Sequence, residues 1–250
     1  MQIIYCSPYR TSEGKPRAEM RKAATKALGP DWLDKLQAED SVIEVFNENL
    51  DDDYHLIVNV LLLEGGPDAD LLLIGPNGVW AAELVHGGGE FKAEGDQWLV
   101  HNPQSNEYEP AKSNPVAAVK DNAGAIYEYL HSKELSVPWV NPLIILTDPT
   151  LNVFSEGSAI SIVKKEDVYQ FVTQDVRDLE AIMDETDVQL VVSTFKPFFG
   201  SQTALADDGA PLGPKRFMGM STVQWLVIIG LALMNICVLG GFAWYVLSNL

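Results

Sequence analysis

Between residues 32 and 199 the chain alternates stretches of helical period with short apolar runs. Val42, Ile43, Val45, Phe46 and Leu50 line one side of a helix predicted over 32–49. YHLIVNVLLL, at 54–63, reads as a strand that Gly65-Gly66-Pro67 breaks. A second strand spans 70–74 and a third spans 79–85. Gly75-Pro76-Asn77-Gly78 joins them as a tight turn, with Pro setting φ and Asn and Gly tolerating the left-handed region. Gly87-Gly88-Gly89 ends the third strand, and a weaker strand falls at 98–101. Val116, Val119, Ala123, Ile126, Tyr127 and Leu130 return to helical spacing over 115–130. Strands at 143–146 and 160–163 follow, then helical segments at 166–172, 175–184 and 187–195. This order predicts one mixed α/β domain over 31–200.

The C-terminal pattern differs. After Lys215 and Arg216 no charged side chain appears, and 223–247 reads VQWLVIIGLALMNICVLGGFAWYVL. About 20 apolar residues span a bilayer core, so this stretch predicts one transmembrane helix. Trp225 lies near one end and Trp244 and Tyr245 near the other, as interfacial aromatics do. The two basic residues precede the helix and none follows it, which predicts that the N-terminal side faces the cytoplasm. Residues 201–222, rich in Gly, Ala, Ser and Pro, read as a linker. Asn235 falls mid-span, where an amide favours an interhelical hydrogen bond and hence a homo-oligomer, or else bonds within its own helix.

Charge narrows the partners. The formal net charge is −18. Such a surface repels nucleic acid and anionic lipid unless a basic patch intervenes. The basic stretch is the N-terminal one. Arg10, Lys15, Arg17, Arg21, Lys22 and Lys26 outnumber Glu13 and Glu19, so residues 1–30 read as a basic arm. PRAEMRKAATKAL within it predicts a helix ended by Gly29-Pro30. The arm could meet nucleic acid or headgroups, and the acidic body of its own domain is the favoured contact. Cys6 and Cys237 make no disulfide framework, which fits a reducing compartment, and the first residues carry no signal-peptide pattern.

One stretch carries chemistry. Asp70 opens a strand, a tight hairpin follows, and Glu83 lies late in the paired strand. This arrangement can bring two carboxylates to one end of a sheet. With a carbonyl they suit Mg²⁺, which takes oxygen ligands. A bound metal could generate hydroxide and stabilise a phosphoryl transition state.

This stretch resembles the NERD (nuclease-related) domain, a branch of the PD-(D/E)XK nuclease-like superfamily. The resemblance covers 38–132, and more loosely reaches 196. It implies a restriction-endonuclease-like mixed sheet flanked by helices. Asp70 and Glu83 match the family's catalytic and metal-binding acids. Glu39 looks like its early helical acid, and Asn114-Pro115 like its opening of the later helix. Two positions depart from the pattern: Val85 stands where the family has Lys, and Ala118 where it has Gln. From 51 to 134 the chain also carries 15 acidic residues against Lys92, Lys112, Lys120 and Lys133.

The reading is therefore a membrane-anchored, catalytically impaired domain acting as a binding or scaffolding module, with no cofactor required. One alternative is an active Mg²⁺-dependent nuclease whose lysine comes from Lys92, Lys112 or Lys120. Another is a structural membrane protein oligomerising through its anchor. His86 reads as a solvated loop residue, Trp80 and Trp98 as core, and Asp51-Asp52-Asp53 as a solvated turn.

Overall fold

The computed structural model describes residues 1–61, 68–157 and 160–199. The main sheet has six strands in the order β1-β2-β3-β4-β8-β10. They are β1 (Gln2–Tyr5), β2 (His55–Leu61), β3 (Asp68–Gly75), β4 (Gly78–Val85), β8 (Val140–Leu146) and β10 (Ser161–Lys164). Strands β2, β3 and β4 form an antiparallel meander, while β1, β8 and β10 join parallel to their neighbours. A second sheet, ordered β7-β6-β5-β9, comprises β5 (Gly89–Glu94), β6 (Gln97–Asn102), β7 (Glu107–Pro110) and β9 (Leu151–Glu156).

Both faces of the main sheet are covered, which explains why its strands read as unbroken apolar runs. Leu71, Leu73, Trp80 and Ala82 face a layer that includes Val42, Ile43 and Phe46 of α2 (Trp32–Asn49). That layer is completed by Val168 of the short α4 (Val168–Gln170) and by Phe171, Val172 and Val176 of the π-helical turn after it. Leu72, Ile74, Val79 and Ala81 face the opposite layer. It holds Ala123, Ile126 and Leu130 of α3 (Pro115–Ser132) and Val188, Val191 and Val192 of α5 (Glu185–Thr194). A third cluster joins Ala93 and Trp98 of the small sheet to Val116 and Val119 at the start of α3.

The β3–β4 hairpin turns on Pro76 and Asn77, with Gly75 paired to Gly78. A Cβ on Gly75 would stand 2.1 Å from the Tyr54 ring, so the ring's seat requires glycine there. The Tyr54 hydroxyl donates to Asn77 Oδ1, and the Asn77 amide donates to the Leu179 carbonyl.

Residues 1–30, expected as a basic arm before a domain starting at 31, contribute one strand to the main sheet. Gln2–Tyr5 pairs with β2, and Cys6 lies in the core, where burial pushes its thiol up to about 12. The expected helix over 16–28 is a 3₁₀ turn, Ala18–Met20, followed by α1 (Arg21–Leu28), which Gly29 ends at φ +97°. The helix expected over 175–184 is absent beyond Val176. There the chain folds back, and the Ile182 and Met183 amides donate to the Pro76 carbonyl. Among the described residues no helix is long and apolar enough to cross a membrane. The expected linker (201–222) and transmembrane helix (223–247), with Asn235, lie outside the described residues.

Candidate functional site

The meander leaves the end of β4 and the start of β3 at one edge of the core, and a cleft of about 530 Å³ opens there. Its walls come from four places. Lys35, Leu36 and Glu39 of α2 form one side; Asn114, Pro115 and Ala118 at the start of α3 form another. Phe91, Trp98 and Leu151 of the small sheet form a third, and Asn59, Asp70, Glu83 and Val85 form the floor. The structure thus gathers Glu39, Asp70, Glu83 and Asn114, four positions that lie far apart in sequence.

The register explains the gathering. Leu71 pairs with Ala82, so the next step places Asp70 across from Glu83. Val58 pairs with Leu71 and Val60 with Ala69, so Asn59 lies across from Asp70 on the other side. Asn59, Asp70 and Glu83 therefore form a row across three adjacent strands. Asp70 is held in it by the Leu84 amide, which donates to Asp70 Oδ2 at 2.7 Å.

The row interrupts the sheet's alternation. Asn59 adopts φ +57°, a conformation that asparagine tolerates better than most residues. Val58 accordingly packs on the α2 side and Val60 on the α3 side, although residues two apart in a regular strand share a face. Across from it, Leu71 and Ala69 split between the two faces in the same way. The Asn59 amide donates to Glu39 Oε1 at 3.0 Å.

Glu39 is buried in the second turn of α2, and burial raises its carboxyl above the ordinary range. Opposing that, Arg10 Nη2 donates to Glu39 Oε2 at 2.8 Å and to the Leu36 carbonyl at 2.9 Å. Arg10 Nη1 pairs with Asp40 at 2.7 Å. The favoured contact of the basic segment, its own acidic body, is therefore present at Arg10. Arg10 and Asn59 escaped the sequence reading. The available signal was the one polar residue inside the apolar run LIVNVLL.

The other residues singled out by sequence fall into place. The Asn114 side chain caps α3, accepting from the Ala117 amide at 3.2 Å, and donates to the Asp96 carbonyl at 2.8 Å. Val85 is half-buried and packs against the third apolar cluster, which holds Trp98, Leu146 and Leu151. Its carbonyl accepts from the Thr147 amide at 3.0 Å. His86 is exposed at the cleft rim, 3.2 Å from the Thr147 hydroxyl. Trp80 is core; Trp98 is buried as well, stacked on Phe91 with centroids 5.5 Å apart. Asp51, Asp52 and Asp53 are exposed in a turn, where Asp52 pairs with the N-terminal amine at 3.1 Å.

The candidate lysines lie elsewhere. Lys92 pairs with Glu94 at 3.1 Å and Glu156 at 2.8 Å, Lys120 pairs with Asp96, and Lys112 is exposed outside the cleft wall. Lys35 does line the cleft, but its ammonium donates to the Leu28 carbonyl at 2.8 Å and pairs with Asp31 at 3.3 Å.

Among the described residues no three His, Cys, Asp or Glu side chains form a metal cage. Mg²⁺ does not need one, since it keeps several waters and is held by one or two carboxylates. The oxygen donors of Asp70 and Glu83 fit that requirement.

Residues 35–147 match the family described as the nuclease-related domain. No curated protein and no solved structure matches the chain. The matched span contains Glu39, Asn59, Asp70, Glu83, Asn114 and Ala118, the row and residues from two of the walls of the cleft. Residues 35–147 of this chain therefore form a NERD, a nuclease-related domain.

Proposed function

We propose that this nuclease-related domain keeps the metal-holding half of a phosphodiester-cleaving site and lacks its cationic half, so that it acts as a binding or scaffolding module. The observation that carries the reading is the setting of Val85. An aliphatic side chain packed against the cluster that holds Trp98, Leu146 and Leu151 offers neither charge nor hydrogen bond to a phosphate. The ion pairs of Lys92 and Lys120 argue against their serving as substitutes. The order α2, β2, β3, β4, α3, β8 supports a restriction-endonuclease-like core.

Asp70 and Glu83 would hold Mg²⁺, which when bound polarises a phosphoryl oxygen and lowers the pKa of its water. The chain's own groups supply the rest. Leu84 N–H fixes the Asp70 carboxylate, the Asn114 cap fixes the start of α3, and Phe91 and Trp98 keep one wall apolar. Among the described residues the lysine lining the cleft, Lys35, is engaged by the Leu28 carbonyl and Asp31, so the charge that would develop on the phosphate is left uncompensated. Such charge stabilisation commonly contributes several kcal/mol to catalysis, about 3–4 for one lost donor.

The test is incubation of the purified chain with DNA and RNA in Mg²⁺ or Mn²⁺. The expected outcome is no metal-dependent cleavage above background. Val85→Lys combined with Ala118→Gln is expected to raise cleavage above that background. Metal-dependent cleavage by the unaltered chain, lost in Glu83→Ala, would overturn the proposal.

The proposal also places the domain at the cytoplasmic face of a membrane, anchored through 223–247. The support is the uncharged 25-residue run and the two basic residues before it.

A further inference from the structure

The segment before the matched span is assembled around one side chain. Arg10 has no exposed side-chain surface. Its Nη1 donates to the Gly14 carbonyl at 2.6 Å, its own carbonyl accepts from Arg17 Nε at 2.9 Å, and its guanidinium lies 5.6 Å from the Tyr5 ring centroid. Residues 10 and 16 form a bridge that closes the loop, and Gly14 sits at φ +82°, where a Cβ would strike the Tyr5 ring at 2.5 Å. A basic residue needed only for solubility would not be enclosed in this way. The far side of the guanidinium reaches Glu39, Glu39 reaches Asn59, and Asn59 on β2 stands opposite Asp70 on β3.

We propose that Arg10 is a positioning residue for the Asp70–Glu83 cation site, acting through Glu39 and the left-handed Asn59. The nuclease-related span 35–147 is then incomplete as a binding site without the loop at 10–17 that precedes it. The physical reason is the chain of contacts. Asn59 breaks the alternation of β2, and the row Asn59–Asp70–Glu83 depends on where that break falls. The Asn59 amide is held by a carboxylate, and the carboxylate is held in a buried place by the guanidinium. Groups that orient metal ligands from one contact further out typically change metal affinity 10- to 100-fold when removed.

The inference rests on the reading of Asp70 and Glu83 as a cation site, and the experiment separates the two. Mn²⁺ binding to the purified full chain is followed by the loss of the free-ion electron paramagnetic resonance signal. Four variants accompany it: Glu83→Gln, Arg10→Met, Arg10→Lys, and Arg10→Met with Glu39→Met. The double variant removes both charges and so leaves no unpaired buried ion, which keeps the fold accessible if the single variant fails to fold.

We expect Arg10→Met and the double variant, confirmed folded by circular dichroism, to weaken Mn²⁺ binding about tenfold, with Arg10→Lys recovering part of the loss. A merely structural Arg10 would lower the melting temperature and leave the affinity of the folded protein unchanged, which would overturn the inference alone. Absence of Mn²⁺ binding by the unaltered chain, or binding unaffected by Glu83→Gln, would overturn the cation site and the inference with it.

Discussion

His55 begins β2 with its ring 1 % exposed, and the Gln189 side chain lies 3.2 Å from Nε2 while Nδ1 has no partner. Burial, and behind it the N-terminal amine, holds its pKa below the ordinary histidine value. The folded state therefore prefers the neutral ring, whereas the unfolded chain protonates near pH 6.5. The sign follows: this contribution to stability is complete above about pH 6.5 and is lost as pH falls through the lower, folded value. Chemical denaturation of the unaltered chain and of His55→Gln between pH 7.5 and 5 should show the difference. The unaltered chain is expected to lose more stability on acidification than the variant. Parallel losses would mean that His55 does not titrate with unfolding. Arg10 and Glu39 belong to the same scale, and nothing in sequence distinguished Arg10 from its basic neighbours. Its partner lies 29 residues away, and only the fold brings them together.

At the scale of elements, α2 and α3 were legible because each carries an apolar stripe, and Asn114-Pro115 marks where α3 opens. The strands β3 and β4 were legible because both of their faces are buried. β5, β7 and β9 were not legible, for the converse reason. The sequence of β5, GEFKAE, buries only Ala93, and an exposed strand shows no apolar run. The segment at 175–184 has apolar residues at workable spacing, but its Ile182 and Met183 amides are taken by Pro76, a tertiary partner invisible to periodicity. Asp70 and Glu83 were found because the hairpin between them is local; Asn59 was missed because its role depends on the break in β2. β1 gives the sharpest elemental prediction. Deleting residues 1–17 removes an edge strand and leaves Glu39 buried without its guanidinium, a defect of about 3–5 kcal/mol. Net stabilities are only about 5–15 kcal/mol. The shortened chain is expected to be rapidly digested under limited trypsinolysis that spares the full chain. Equal resistance would show that the first strand is dispensable.

For the whole molecule, the matched domain occupies 35–147 of 250 residues, so much of the chain's behaviour is decided outside it. On one side lies the loop that buries Arg10. On the other lies the uncharged run at 223–247, which carries the anchoring part of the proposal. Alkaline carbonate washing of membranes from cells expressing the chain tests it. The expected result is retention in the membrane pellet, with release when 223–250 are deleted; release of the intact chain would exclude an integral anchor. The −18 net charge adds a condition on partners, since an acidic domain held beside anionic headgroups is repelled from the surface unless its partner is basic.

The small sheet is stitched into the protein twice. Its hairpins β5–β6–β7 leave the chain between β4 and α3, whereas β9, the strand paired to β5, belongs to the separate excursion between β8 and β10. The adjacent strands β4 and β8 lead side by side into the adjacent strands β5 and β9, so this panel hangs from a doubled hinge, stiffer than a single one. Movement of that wall of the cleft would strain both connections at once, which favours visitors that fit the room as it stands.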